Sequence, residues 1–153
     1  MSRLEFLSPV AKHAVSPLRH VAGDAFTDVS HLGKLEVRGD IDALDGAIRI
    51  GAQRALLVVD GDTRAERERL TDAGYRVYDM TAGLAALEVE GEDLMRRLTE
   101  LDLGQLPAIG ALARGTTALI ERREGERFRL FVPQELGQFV AEVIVDMSAG
   151  LGR

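Results

Sequence analysis

Residues 60–63, Asp-Gly-Asp-Thr, follow directly on the apolar run of residues 55–59 and hold the chain's most reactive-looking spacing. Two carboxylates at i and i+2 after a buried strand can hold magnesium, with Asp60 placed as a phosphoryl acceptor. A strand-end turn leading into a capped helix accounts for the same residues without chemistry. Ser30 and His31 are adjacent, so on a strand their side chains point apart and form no nucleophile–base dyad. The three histidines, His13, His20 and His31, show no ligand spacing. The acidic residues Glu90, Glu92 and Asp93 mark a strand-to-helix junction, where negative charge favours a helix N-terminus. No glycine-rich phosphate loop is present, and no nucleophile, base and charge stabiliser converge. The expectation is a chain with no catalytic residue, no metal site and no bound cofactor of its own.

Composition narrows the remaining classes. A chain of 153 residues fits one domain, and 46% hydrophobic with 29% charged residues is a globular balance. The net charge of -6 and the absence of Trp argue against a phosphate-tracking or base-stacking surface, so nucleic acid is not expected as a partner. The chain has no cysteine, which excludes disulfides and thiolate metal sites and fits a reducing compartment. No apolar run approaches the ~18 residues of a membrane span, and the first residues lack the apolar core of a signal peptide. A soluble, cytoplasmic protein is expected.

Hydrophobic periodicity sets out the elements that would position these residues. Residues 1–23 read as an arm, because Pro9 and Pro17 interrupt any long helix. Its apolar residues Phe6, Leu7, Val10 and Leu18 must pack on something; their own domain is the first choice, a partner's groove the second. Residues 24–150 read as a single α+β domain. Residues 32–38 alternate as a half-buried strand with Lys34, Glu36 and Arg38 towards solvent. Asp40 or Asp42 would then cap a short helix carrying Leu44, Ala47 and Ile48. Residues 55–59 form a strand covered on both faces, and Thr63-x-x-Glu66 is a capping-box pattern opening a charged helix that ends at Gly74. Strands follow at Arg76–Asp79 and Leu84–Glu90, then a helix presenting Leu94, Met95, Leu98 and Leu101 on one side. Residues 116–122 and 127–132 flank Glu124-Gly125 as a hairpin. Pro133 starts a last helix, ending near Gly150, with Leu136, Phe139, Val140, Val143, Ile144 and Met147 as its apolar stripe. Largely antiparallel pairing is expected.

One internal echo stands out. Asp28-x-Ser30 leads to Leu35-Glu-Val-x-Gly39, and Asp79-x-Thr81 leads to Leu87-Glu-Val-x-Gly91, with one residue of offset. A duplicated strand–helix unit explains it, with chance as the competing account.

Several segments in order resemble the gamma subunit of heterotetrameric sarcosine oxidase: Ser8-Pro-Val-Ala11, residues 32–39, residues 77–84, residues 87–91, Leu101-Asp-Leu103 and residues 128–132. The resemblance spans about residues 8–150. It implies an aminomethyltransferase N-terminal-like fold of ferredoxin-like strand–helix units. It also implies a non-catalytic accessory role in a complex that oxidatively demethylates sarcosine or a related N-methyl amino acid. FAD, FMN, NAD and tetrahydrofolate would then be held by larger partner subunits (alpha, beta, delta), and none by this chain. Residues 28–33 are similar to the opening of glycine-cleavage aminomethyltransferases, but the segment from Gly39 to Ala55 is too short for the portion bearing their catalytic aspartate. Gamma subunits of that family are also longer, the deficit here falling before Ala55. Asp60-Gly-Asp62 resembles the opening motif of haloacid-dehalogenase phosphatases, yet lacks the glycine that family places after the second aspartate. The alternative to an accessory subunit is a stand-alone folate- or pterin-like binding module in one-carbon metabolism, with Asp28, Ser30 or Asp79 in its pocket.

Overall fold

A computed structural model describes residues 15–151. Among these residues nine strands form two antiparallel sheets: β1 (Thr27–Asp28), β2 (Gly33–Arg38), β3 (Ile48–Gly51), β4 (Arg54–Val59), β5 (Arg76–Asp79), β6 (Leu84–Glu90), β7 (Ala108–Ala111), β8 (Thr117–Arg122) and β9 (Arg127–Pro133). Among the described residues three α-helices accompany them: α1 (Arg64–Asp72), α2 (Glu92–Leu98) and α3 (Gly137–Leu151). One sheet runs β3-β4-β2-β5, the other β1-β6-β9-β8-β7.

The duplicated motif is a structural duplication. From β2 to β5 the chain traces strand, turn, strand, strand, helix, strand, in the spatial order fourth-first-third-second of a ferredoxin-like unit. From β6 the path repeats through α2, β8, β9 and α3, and β1, from the start of the chain, supplies the fourth strand beside β6. The second unit is thus a circular permutation of the first, with β7 added at its edge.

The two Asp-x-Ser/Thr turns join the units reciprocally. Asp28 pairs with Leu87 while Asp79 pairs with Leu35, each the motif leucine of the other half. Asp28 Oδ1 accepts from Ser30 N at 3.0 Å, and Asp79 Oδ1 from Thr81 N at 2.9 Å. Ala86 N donates to Ser30 Oγ and Lys34 N to Thr81 Oγ1, both at 3.1 Å. Val29 N donates to Ala86 O, as Met80 N does to Lys34 O. Short hydroxyl side chains bond nearby backbone readily, which is why these residue types hold the junctions.

The layers follow from strand alternation. Leu35 and Val37 face outward onto Leu70 of α1, with Leu57, Val59 and Val77. Leu87, Val89, Phe128, Leu130 and Val132 face α2 and α3 in the main core, meeting Met95, Leu98, Val140 and Ile144. Between the sheets, Ile48 and Leu56 meet Ala86, Leu119 and Phe131. Helix α3 can approach this closely because Gly137 has no side chain; a Cβ there would lie 2.9 Å from Ala85 Cβ and 3.0 Å from Leu18 Cδ2. The β8–β9 hairpin turns at Gly125, whose φ of 61° suits glycine.

Several expectations give way here. Strand β2 is covered on both faces, with Lys34 and Glu36 buried, because a second sheet lies where solvent was expected. The helix expected after Asp40 is a single 3-10 turn at Ile41–Ala43, and Ile48 opens β3. Thr63 makes no capping hydrogen bond on α1; its hydroxyl donates to Asp79 Oδ2, and Glu66 pairs with Arg69. Pro133 closes β9 rather than opening α3, and Phe139 is exposed rather than part of the stripe. The arm residue Leu18 is 2% exposed and packed in the main core. Leu18→Ala is therefore expected to lower the unfolding free energy by about 2–4 kcal/mol, as for a buried leucine. Urea denaturation of the two chains measures it, and a loss under ~1 kcal/mol would show that this segment does not belong to the core.

Candidate functional site: the polar layer between the sheets

Lys34 sits on β2 at the junction of the two units and is fully buried. Its Nζ donates to three backbone carbonyls: Ser30 O at 2.8 Å, Thr81 O at 2.8 Å and Leu84 O at 2.6 Å. These belong to the two turns that join the halves and to the first residue of β6. Burial lowers the amine's pKa to about 8, against the pull of Asp28 and Asp79, which favour the charged form. The ammonium is thus retained at neutral pH and saturated by carbonyls. Its equivalent in the other half is Ala86, so the ammonium has no counterpart there.

A second charged group lies on the same face of the other sheet. Arg129 on β9 stands between Glu88 on β6 and Glu121 on β8, its cross-strand neighbours. Its two terminal nitrogens bond them at 3.3 and 3.2 Å, and Nε is buried without an acceptor. Burial pushes the Glu121 carboxyl above its ordinary range, outweighing Arg129 and Arg123, with Glu88 adding to the rise. Across the layer, burial would raise Glu36 as well, but hydrogen bonds from Arg54 and Arg38 hold it below the usual range. A cleft of about 250 Å³ opens where these layers part. Leu32, Ile48 and Val58 wall it from one sheet, Glu121, Arg123 and Arg129 from the other, and Asp60 and Gly46 complete its lining.

The residues singled out in the sequence are dispersed. Phe6, Leu7, Val10 and His13 lie outside the described residues. Leu18, being core, presents no surface to a partner. Asp60 is exposed in the cleft lining, whereas Asp62 Oδ1 accepts from Arg64 N at the start of α1. Among the described residues no group of three His, Asp or Glu side chains is placed to hold a metal. His20 and His31 are exposed. Glu92 pairs with Arg122 and Arg96, and those contacts hold its carboxyl below the usual range despite some burial. Asp28, Ser30 and Asp79 bond backbone at the two junctions and do not line the cleft. The residues overlooked were Lys34, Glu121 and Arg129. Their alternation with apolar neighbours gives the same pattern whether the polar face meets water or a second sheet.

The solved structures supply a match for this architecture. A chain of the heterotetrameric sarcosine oxidase from Corynebacterium sp. U-96, solved in complex with pyrrole 2-carboxylate, superposes with a TM-score of 0.70. The fold is shared with a chain of that oxidase. Identity is 13%, and the match covers 92% of this chain and 97% of that one. No family model and no curated protein matches the sequence. Among the described residues no helix is long and apolar enough to cross a membrane.

Lys34→Met removes the only donor that the carbonyls of Ser30, Thr81 and Leu84 share. Orphaning them outweighs the relief of a buried charge, and the expected loss is about 2–3 kcal/mol at neutral pH. The pH trend tests the ammonium itself. Below pH about 8 the amine is protonated in both folded and unfolded chains; between about 8 and 10.5 only the unfolded chain keeps the proton. Raising pH across that window therefore favours the folded state, by roughly 1 kcal/mol per unit from this group alone. Urea titrations of both chains from pH 7 upward should show the wild type gaining on Lys34→Met, and parallel curves would refute a depressed pKa.

Proposed function

We propose that the chain is a non-catalytic accessory subunit of a heteromeric, flavin-dependent sarcosine oxidase-like complex, in the position of the gamma subunit. The observation that carries this reading is the fold likeness to a chain of heterotetrameric sarcosine oxidase over nearly the full length of both chains. The use of the reactive-looking side chains points the same way. Asp28, Ser30, Thr81 and Asp79 hold backbone groups, and Lys34 is saturated by carbonyls. Such a chain contributes packing surface, while FAD, FMN, NAD and tetrahydrofolate reside in the larger alpha, beta and delta partners. The reaction served is the oxidative demethylation of sarcosine or a related N-methyl amino acid, in the cytoplasm.

The stand-alone folate- or pterin-binding alternative draws less support. Asp28, Ser30 and Asp79, the residues expected in such a pocket, are bonded to backbone at the two junctions instead.

A tagged chain expressed in its native host and purified at low salt is expected to bring down a larger subunit. Mass spectrometry should identify an amine dehydrogenase or oxidase chain, and the eluate should show flavin absorbance. A chain that elutes alone, with no flavin, at native expression levels would overturn the accessory-subunit reading.

A further inference from the structure

The four-stranded sheet ends in a free edge beside a row of like charges. Strand β5 has β2 on one side and no strand on the other. Met80 N donates to Lys34 O, which sets the alternation of this antiparallel pair. Arg76 and Tyr78 therefore bond β2, while Val77 and Asp79 turn their N–H and C=O groups outward. Arg38 stands opposite Arg54 of β4 and opposite Arg76 of β5, so three arginines lie side by side on one face. Glu36 pairs with Arg38 and Arg54, and among the described residues Arg76 pairs with no carboxylate. The Arg38 guanidinium lies 4.9 Å from the ring centroid of Tyr78, an exposed residue, and that contact directs it along the face. Like charges directly opposite one another destabilise a sheet. A charge on the edge strand deters aggregation, but Arg38 and Arg54 lie on inner strands, where that need is absent. In a chain of net charge -6 the row is a local excess of positive charge.

We infer that the β5 edge takes up an extended acidic segment of a partner protein as an added strand, its carboxylates over Arg76 and towards Arg38. The outward groups of Val77 and Asp79 give the main-chain bonds, and the arginine row gives the preference for Asp and Glu. On the other face such a segment meets a groove between α1 and β5, lined by Arg64, Arg67, Glu68, Thr71, Asp72 and Val77. Its mixed charge suits small polar side chains. The chain's own residues 1–14 are the wrong occupant, since Arg3 and Lys12 outnumber Glu5 there. A second copy would lay another arginine row beside the first. A phosphate polymer would answer the charge and leave the outward backbone groups unbonded. This edge belongs to the chain whichever complex it serves, so a peptide test is separate from the pull-down.

The probe is an end-capped hexapeptide alternating Glu and Thr, titrated into the full chain at low salt. The backbone amides of Val77 and Asp79 are followed by NMR. The expected result is a saturable shift of both, at a Kd on the order of 0.1 mM. A hexapeptide alternating Glu and Pro keeps the charge but lacks half the strand donors, and should bind at least about fivefold more weakly. Arg76→Glu, at an exposed position, should weaken binding at least about tenfold while the urea midpoint of the free chain stays equal or rises, because a like-charge neighbour of Arg38 is gone. No saturation, equal binding of the proline peptide or of hexathymidylate, or an unchanged affinity in Arg76→Glu would each overturn the assignment. So would a lowered midpoint in that variant, or concentration-dependent shifts of the same amides without peptide, which would give the edge to a second copy.

Discussion

The junction of the two units hangs on one ammonium group. Lys34 Nζ ties three carbonyls, drawn from both connecting turns and the start of β6. Burying a cation costs several kcal/mol, so it persists only where strong bonds saturate it. Three short charge-assisted bonds do so here, at the point where the chain passes from one sheet to the other. A methionine of similar length would fit the space but leave the carbonyls bare. The remaining junction contacts occur in reciprocal pairs; the ammonium breaks that symmetry, since Ala86 stands in the equivalent place.

The same layer explains why the sheets meet at all. Ile48, Leu56, Ala86, Leu119 and Phe131 provide the apolar contact, but Glu36, Glu88, Glu121 and Arg129 share the faces with them. Ion pairs in such a setting roughly balance their desolvation, so they add little net stability. Their effect is on register. A slip of one residue in β6 or β9 would turn Glu88 or Arg129 into the main core among Leu87, Phe128 and Leu130 and strand a charge there. The polar layer fixes pairing, and the apolar layers outside it hold the units together.

Much of this was legible in the sequence. Strands Arg76–Asp79 and Leu84–Glu90, the β8–β9 hairpin and the three helices follow from periodicity and turn residues, and the echo of Asp-x-Ser/Thr foretold the duplication. What periodicity does not report is the identity of the neighbour on the polar side. Lys34-x-Glu36-x-Arg38 gives the alternation of a solvated strand, and only the second sheet makes it an interior one. Strand β7 escaped because Ala108-Ile-Gly-Ala111 is short and rich in small residues, with a close backbone approach of Gly110 to Leu101. Strand β1 escaped because two residues carry no period. The 3-10 turn that replaces a helix after β2 shows a cap signal without enough apolar stripe behind it, since only Ile41 is buried there.

The duplication also accounts for the fate of the reactive-looking side chains. In a circularly permuted pair, each unit must pass its chain to the other across a sheet boundary, where ladder hydrogen bonds end and backbone groups need other partners. Asp28 and Ser30 meet that need at one crossing, and Asp79 and Thr81 at the other, through equivalent bonds. Residue types that invite a catalytic reading are here required by topology. Arg129 is committed in a similar way, its two terminal nitrogens bonded to Glu88 and Glu121 on the neighbouring strands. The bonds that a position demands, rather than residue type alone, decide what a reactive-looking side chain does.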